Sequence, residues 1–289
     1  MARSIIFNAD DLGIHPTTDQ AILLAFKEGI ISSATLLMTT PFTEQAADLA
    51  ISANLPIGIH LSLTLGKPVA AQNENSELQD NLGWMSRTPA FFFKKLLFLE
   101  HRKRLVPQIA AEFSAQLAKA ADLGIKPTHV DSHQHVHMAR GIMPILEELL
   151  PYYGLRKIRL TREPLWSARL AGKAGIWDRR NGIKGAAIYF SNSKPRSLVT
   201  PDHFFGLYHS GVLNEERLLG ILQKLPANST SEVGFHPGKS IVDNVYPQPN
   251  VNAFIASSER ETEFATATSS RVKQFLKDQR INTISFREL

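Results

Sequence analysis

SIIFNADDLGIHPTTDQAILLAFKEGIISSATLLMTT, residues 4–40, contains the repeating unit from which the rest of the chain can be read. SIIFNA (4–9) is a short apolar run with β-branched residues, the composition of a buried strand. TTDQAILLAFKEGII (17–31) spaces its apolar residues as an amphipathic helix does, with Thr17 or Thr18 as its cap. ATLLMTT (34–40) is a second strand. A strand, a helix and another strand in such quick succession imply a parallel βαβ unit, because parallel neighbours need a crossover between them.

The alternation continues along the chain. TEQAADLAISAN (43–54) predicts a helix, IGIHLSL (57–63) a strand, PQIAAEFSAQLAKAADLG (107–124) a helix closed by Gly124, and THVDSH (128–133) a strand. GIMPILEELLPYYG (141–154) predicts a helix, KIRLT (157–161) a strand, EERLLGILQKL (215–225) a helix and EVGFH (232–236) a strand. A helix over 259–279 and the strand INTISF (281–286) complete the series. The fold class is α/β, wound into a barrel or an open sheet. No internal repeat, low-complexity tract or linker interrupts it, so one domain over residues 1–289 is expected. Irregular excursions at about 66–105 and 162–214 are long enough to shape a substrate site.

The 289 residues are 43% hydrophobic, ample for a sizeable core. The absence of cysteine excludes disulfides, thiolate metal sites and a cysteine nucleophile, and fits a reducing compartment. The apolar run Ile5–Phe7 is too short for a secretory signal, and no run of about 18 apolar residues suggests a membrane span. A soluble, cytoplasmic protein is the expectation.

The formal charge of +5 is unevenly spread. Residues 151–200 carry eleven lysines and arginines (Arg156, Lys157, Arg159, Arg162, Arg169, Lys173, Arg179, Arg180, Lys184, Lys194 and Arg196) against Glu163 and Asp178, a net charge of +9. Such a window is either a solvated basic face or a docking site for an anion. No nucleic-acid-binding motif accompanies it, so nucleic acid is not expected as a partner, and a non-enzymatic polyanion-binding protein stands as an alternative. PAFFFKKLLFLEHRKRLV (89–106) mixes aromatic and basic residues. It reads as a helix packed on the barrel with its basic end in water, or as a peripheral contact with the inner membrane surface.

The polar residues fall at strand ends. Asp10 and Asp11 end the first strand, His60 lies toward the end of the third, and His133 and His236 close two later ones. Folds of this class place active sites at that rim. Taken singly, NADDLG is a turn and His60 a core histidine; five such residues on one rim are harder to dismiss. One carboxylate and two imidazoles can hold a divalent cation and leave positions open for water and substrate. Of two adjacent aspartates, one can grip the metal while the other acts as a base, and His236 could protonate a leaving group. HVDSHQHVH (129–137) adds a ladder, since counting by twos puts His129, Asp131, His133, His135 and His137 on one face of an extended strand.

NADDLG (8–13), GIHLSLTLGKP (58–68), PTHVDSHQHVHM (127–138) and EVGFHPG (232–238) together resemble the YdjC-like carbohydrate deacetylases. The ordered set spans residues 8–238 and is specific, although each block alone is weak. The resemblance implies a distorted or incomplete (β/α) barrel related to the larger polysaccharide deacetylases, and removal of N-acetyl groups from amino sugars or oligosaccharides; a membrane contact of the 89–106 segment would make a lipid-linked sugar the substrate. It implies one divalent ion, Mg2+ or Zn2+, held by Asp11, His60 and His133, with Asp10 as general base and His236 as general acid. His133 and His137 also have the H-x-x-x-H spacing of the larger deacetylases, which makes His137 a rival ligand. Asp131 and His135 are expected to line the pocket or orient ligands, with Arg159 and Phe205 as further sugar contacts. A metal-dependent phosphoesterase is the rival enzyme class, but it would more naturally use two metals and additional carboxylates. The oligomeric state is open, a homodimer included.

Overall fold

β1 (Arg3–Leu12) is the central strand of a computed structural model that describes residues 3–71, 76–172, 179–191, 194–239 and 243–289, the side chains of 179–182, 184 and 190 excepted. It is followed by α1 (Pro16–Glu28), β2 (Ser33–Leu36), α2 (Thr43–Ser52) and β3 (Ile57–Leu61). The first excursion contains α3 (Pro89–Lys95), then α4 (Leu99–Asp122) leads to β4 (Val130–Ser132) and α5 (Ile142–Leu149). The second contains α6 (Leu165–Leu170), α7 (Arg179–Ser191) and β5 (His203–Phe205). α8 (Glu215–Gln223), β6 (Ser229–Phe235), α9 (Pro249–Ile255), α10 (Ser258–Ala267), α11 (Ser270–Asp278) and β7 (Ile281–Thr283) follow.

All strand pairings are parallel, in the order β4-β3-β2-β1-β6-β5, with β7 beside the first residues of β1. Two isolated bridges, Val130 to Ile158 and Lys157 to Val199, continue the sheet beyond β4 toward the segment that enters β5. The sheet is therefore a curled, incomplete barrel. KIRLT, expected as a strand, contributes those single bridges and nothing longer.

Alternation along β1 separates two environments. Ile5, Phe7 and Ala9 belong to the hydrophobic core shared with the helices, whereas Asn8 and Asp10 belong to a buried polar interior. α4 packs Leu105, Ile109, Phe113 and Leu117 into that core at helical spacing, each contributing roughly 1.5–3 kcal/mol by burial.

Several boundaries differ from expectation. α4 runs through Pro107 rather than starting there: Leu105 already packs inside, and the proline within the helix forgoes one backbone hydrogen bond. The expected helix at 259–279 divides into α10 and α11, where Ser269 accepts a hydrogen bond from the Val272 N–H and restarts the helix. α1 is capped by His15, whose ring accepts from the Thr17 N–H, with Pro16 as its first residue.

Candidate active site

Two adjacent side chains on a regular strand face opposite ways, yet Asp10 and Asp11 line one cavity of about 470 Å³. The register of β1 against β2 shifts between Ala9 and Leu12, and Asp11 sits at φ 66°. This bulge, at a residue type that tolerates the left-handed region, turns both carboxylates to the same side. His60, His133 and His236 line the same cavity, so the structure brings all five rim residues together.

Asp10 rests on Arg159. The guanidinium Nη1 and Nη2 each donate to one oxygen of Asp10 at 2.7 Å, Nη1 also lies 2.7 Å from Asp131, and Nε and Nη2 lie 2.7 Å from Glu232. Burial pushes the Asp10 carboxyl up, but Arg159, with His60 and His236, outweighs it and holds Asp10 well below the usual range. Asp11 has a different arginine: Arg260 Nη1 donates to its Oδ2 at 3.1 Å, while its Oδ1 lies 3.5 Å from His60 Nε2. Its pKa is also depressed, with burial opposed by the hydrogen bond from His60 and the charge of Arg260.

Each of two histidines has one nitrogen engaged away from the cavity. His60 Nδ1 lies 2.6 Å from Asp131 and 3.2 Å from the Thr35 hydroxyl; His133 Nδ1 lies 2.7 Å from the Thr64 hydroxyl. The rings meet edge to face with centroids 5.9 Å apart. Burial disfavours a charge on His60, but Asp131, Asp11 and Asp10 raise its pKa to about 10. Burial wins at His133, which falls to about 4 and is neutral at pH 7. His236 is partly exposed, with Nε2 4.0 Å from Asp10 and Nδ1 3.6 Å from Glu263. Burial opposes its protonation and Glu263 more than restores it, so its pKa is raised.

The histidine ladder is corrected. β4 ends at Ser132, and Gln134 and His135 at φ 55° and 59° coil the chain into a short turn over His133–Met138. His129 stacks on Phe286 at 3.5 Å, over Gly58, where a Cβ would lie 2.4 Å from the ring. His137, the rival ligand, is wholly buried with Nδ1 2.6 Å from Ser132 and Nε2 3.1 Å from the Arg159 carbonyl, so neither nitrogen is left for a cation. His135 does line the cavity, edge to face with Phe204.

Asp131, Arg159 and Phe205 are fully buried, so none of them is placed to touch a sugar. Asp131 fixes His60, Arg159 fixes Asp10, and Phe205 packs on Trp166 in the core. The basic window is likewise no single patch: Arg159 is internal and Lys157 donates to the carbonyls of Phe286 and Arg287. Lys173 lies outside the described residues, as do the side chains of Arg179, Arg180 and Lys184.

Sequence reading missed Thr35, Thr64, Glu232, Arg260 and Glu263. The last two sit one helical turn apart on α10. Glu263 accepts the backbone N–H of His236 at 2.5 Å and that of Gly211 at 3.2 Å. In sequence they are unremarkable charges of an ordinary helix; their burial is the only sign of their role.

Asp10, His60 and Asp131 offer ligand atoms within 4.8 Å of one another, close enough to share one cation. Asp11 and His133 line the cavity beside His60, with Asp11 Oδ1 3.5 Å from His60 Nε2 and the two imidazole centroids 5.9 Å apart.

The model of a family described as YdjC-like protein matches residues 4–278. A carbohydrate deacetylase of Geobacillus stearothermophilus is 29% identical over all of this chain and 98% of its own length. One from Mus musculus is 31% identical over 94% of this chain and 90% of its own. Among solved structures, a "putative cellobiose-phosphate cleavage protein" of Enterococcus faecalis V583 superposes with a TM-score of 0.75 at 23% identity, covering 100% of this chain and 99% of that one. That likeness concerns the fold.

Proposed function

Because the chain belongs to the YdjC-like protein family, we propose that it is a metal-dependent hydrolase, built as one barrel domain, that removes an N-acetyl group from an amino sugar or oligosaccharide. The observation that carries this reading is the pair of cavity-lining histidines whose Nδ1 atoms are engaged from behind. Asp131 behind His60 and Thr64 behind His133 are the supports that metal-ligating imidazoles use to fix ring and tautomer.

Asp11, His60 and His133 are the residues that would hold the ion, Mg2+ or Zn2+. The alternative set of Asp10, His60 and Asp131 fits less well, because both carboxylates already serve Arg159 and a cation there would face the guanidinium. Arg260 occupies one oxygen of Asp11 and leaves the other directed at His60. A divalent ion at this site would lower the pKa of a water and polarise the acetyl carbonyl.

Arg159 keeps Asp10 ionised, in the form that accepts a proton from the attacking water. His236, whose protonated form Glu263 favours, gives its proton to the nitrogen as the amide bond breaks. Acetate and a free amine result.

The test is metal analysis together with acetate release from a panel of N-acetylated glycans, free and lipid-linked. About one ion per chain and metal-dependent acetate release are expected, and His236→Ala should lower turnover by about a hundredfold or more while keeping its metal. Full turnover in that variant, or in metal-stripped protein, would refute the assignment.

A further inference from the structure

α3 and α4 meet at a corner where Leu97, Phe98 and Leu99 are 54%, 58% and 58% exposed. Among the described residues, nowhere else are three large apolar side chains consecutive and exposed. Phe92 and Leu96, just before them, are fully buried, as is Leu105 after them, so the segment is anchored on both sides and the corner projects.

The corner is on the catalytic face. α4 ends at Asp122 and the chain then enters β4, so the helix runs against the strands and its first residues lie level with their C-terminal ends. At 1.5 Å per residue the helix is roughly 36 Å long, about twice the length of the five-residue β3, so its start overshoots the rim. α3 packs against the turn that carries His133.

Charge identifies the surface that this corner fits. Lys94, Lys95, Arg102, Lys103 and Arg104 flank the three apolar residues, against Glu100 alone. Glu100 pairs with Lys103 and Arg104 with Glu77, while Lys94, Lys95 and Arg102 have no carboxylate partner among the described residues. A second copy of the chain seated symmetrically here would set this cationic cluster against itself. Anionic lipid headgroups over an apolar interior match both components, cations around and hydrocarbon between. Among the described residues no helix is long and apolar enough to cross a membrane, so the contact is peripheral.

We infer that the Leu97–Leu99 corner and its basic flanks dock the protein, catalytic face down, on an anionic lipid surface, where it meets an N-acetylated sugar carried by a lipid. The identity of that sugar rests on the deacetylase reading; the docking does not.

The full chain is sedimented with vesicles of phosphatidylcholine alone and of phosphatidylcholine with phosphatidylglycerol. Binding to the anionic vesicles only, weakening as salt is raised, is the expected result. Leu97→Ser/Phe98→Ser/Leu99→Ser should lower that affinity about tenfold or more, and Lys94→Glu/Lys95→Glu/Lys103→Glu should do the same. Both variants should release acetate from a water-soluble N-acetylated sugar at the wild-type rate. No pelleting, or pelleting unchanged in both variants, overturns the proposal. So does a wild-type dimer that the triple-serine variant dissociates, with no vesicle binding in either. Acetate release with no vesicle binding sinks the docking and spares the deacetylase; vesicle binding without acetate release does the reverse.

Discussion

Asp10 and Glu163 are both buried carboxylates beside a histidine, and they are held in opposite ways. Under the cavity, Arg159 gives Asp10 two hydrogen bonds and serves Asp131 and Glu232 as well, so the cluster carries its own cation. In the second excursion, Glu163 meets the Ser167 hydroxyl, the N–H groups of Gly206 and Tyr208, and His209 at 3.6 Å. No lysine or arginine touches it among the described residues. Burial therefore pushes Glu163 up to about 7 against its hydrogen bonds, whereas Asp10 stays ionised. Serine, histidine and glutamate here have the composition of a hydrolase triad without its accessibility. Ser167 and His209 are wholly buried, and the serine is hydrogen-bonded to the carboxyl. Residue type is shared by the two clusters; what separates them is an arginine.

The largest effect should come from removing that arginine. Arg159→Met leaves Asp10, Asp131 and Glu232 buried together without the guanidinium they share, and is expected to cost about 3–5 kcal/mol in urea unfolding along with all acetate release. A loss no greater than that of Glu163→Gln would mean that the arginine does not balance the cluster, and the contrast would fail.

A smaller effect comes from the support behind His60. Asp131→Asn keeps the shape of the support behind His60 and removes its charge. Metal affinity, measured by chelator competition, should fall about 10–100-fold. An unchanged affinity would move the cation site away from His60.

How much of this was legible in the sequence follows from the same contrast. The five cavity residues stand at strand ends, and strand ends are readable from apolar runs, so Asp10, Asp11, His60, His133 and His236 could be singled out before any coordinates. Their supports could not. Arg159 has the sequence appearance of one more member of a basic window, and its three carboxylates come from β1, β4 and β6. Arg260 reaches Asp11 across 249 residues of chain. Pairing of that kind depends on tertiary closure, which local periodicity does not encode. The ladder at 129–137 misled for a related reason: alternation is meaningful only while the strand lasts, and left-handed Gln134 and His135 end it. α6, α7 and β5 lie in a stretch where Gly, Pro and charged residues break the pattern, and there the sequence predicted only an excursion.

The smallest effect is the one that tests the Glu163 side of the contrast. Its folded pKa of about 7 lies above the ordinary 4.5, so between those values the folded chain holds a proton that the unfolded chain has lost. Glu163 then stabilises the fold fully below about pH 4.5, and that contribution disappears as pH rises through about 7, by at most ~1.4 kcal/mol per pH unit. Glu232 and Asp19, also raised to about 7, add terms of the same sign, so the wild-type slope alone does not identify Glu163. Glu163→Gln does, because glutamine mimics the neutral acid at every pH. Its urea midpoint should fall nearest the wild type, or below it, at about pH 5 and gain on it by about pH 8. A difference between the two that stays constant across that range would show that Glu163 is ionised without a cation, and the arginine would no longer explain why Asp10 is.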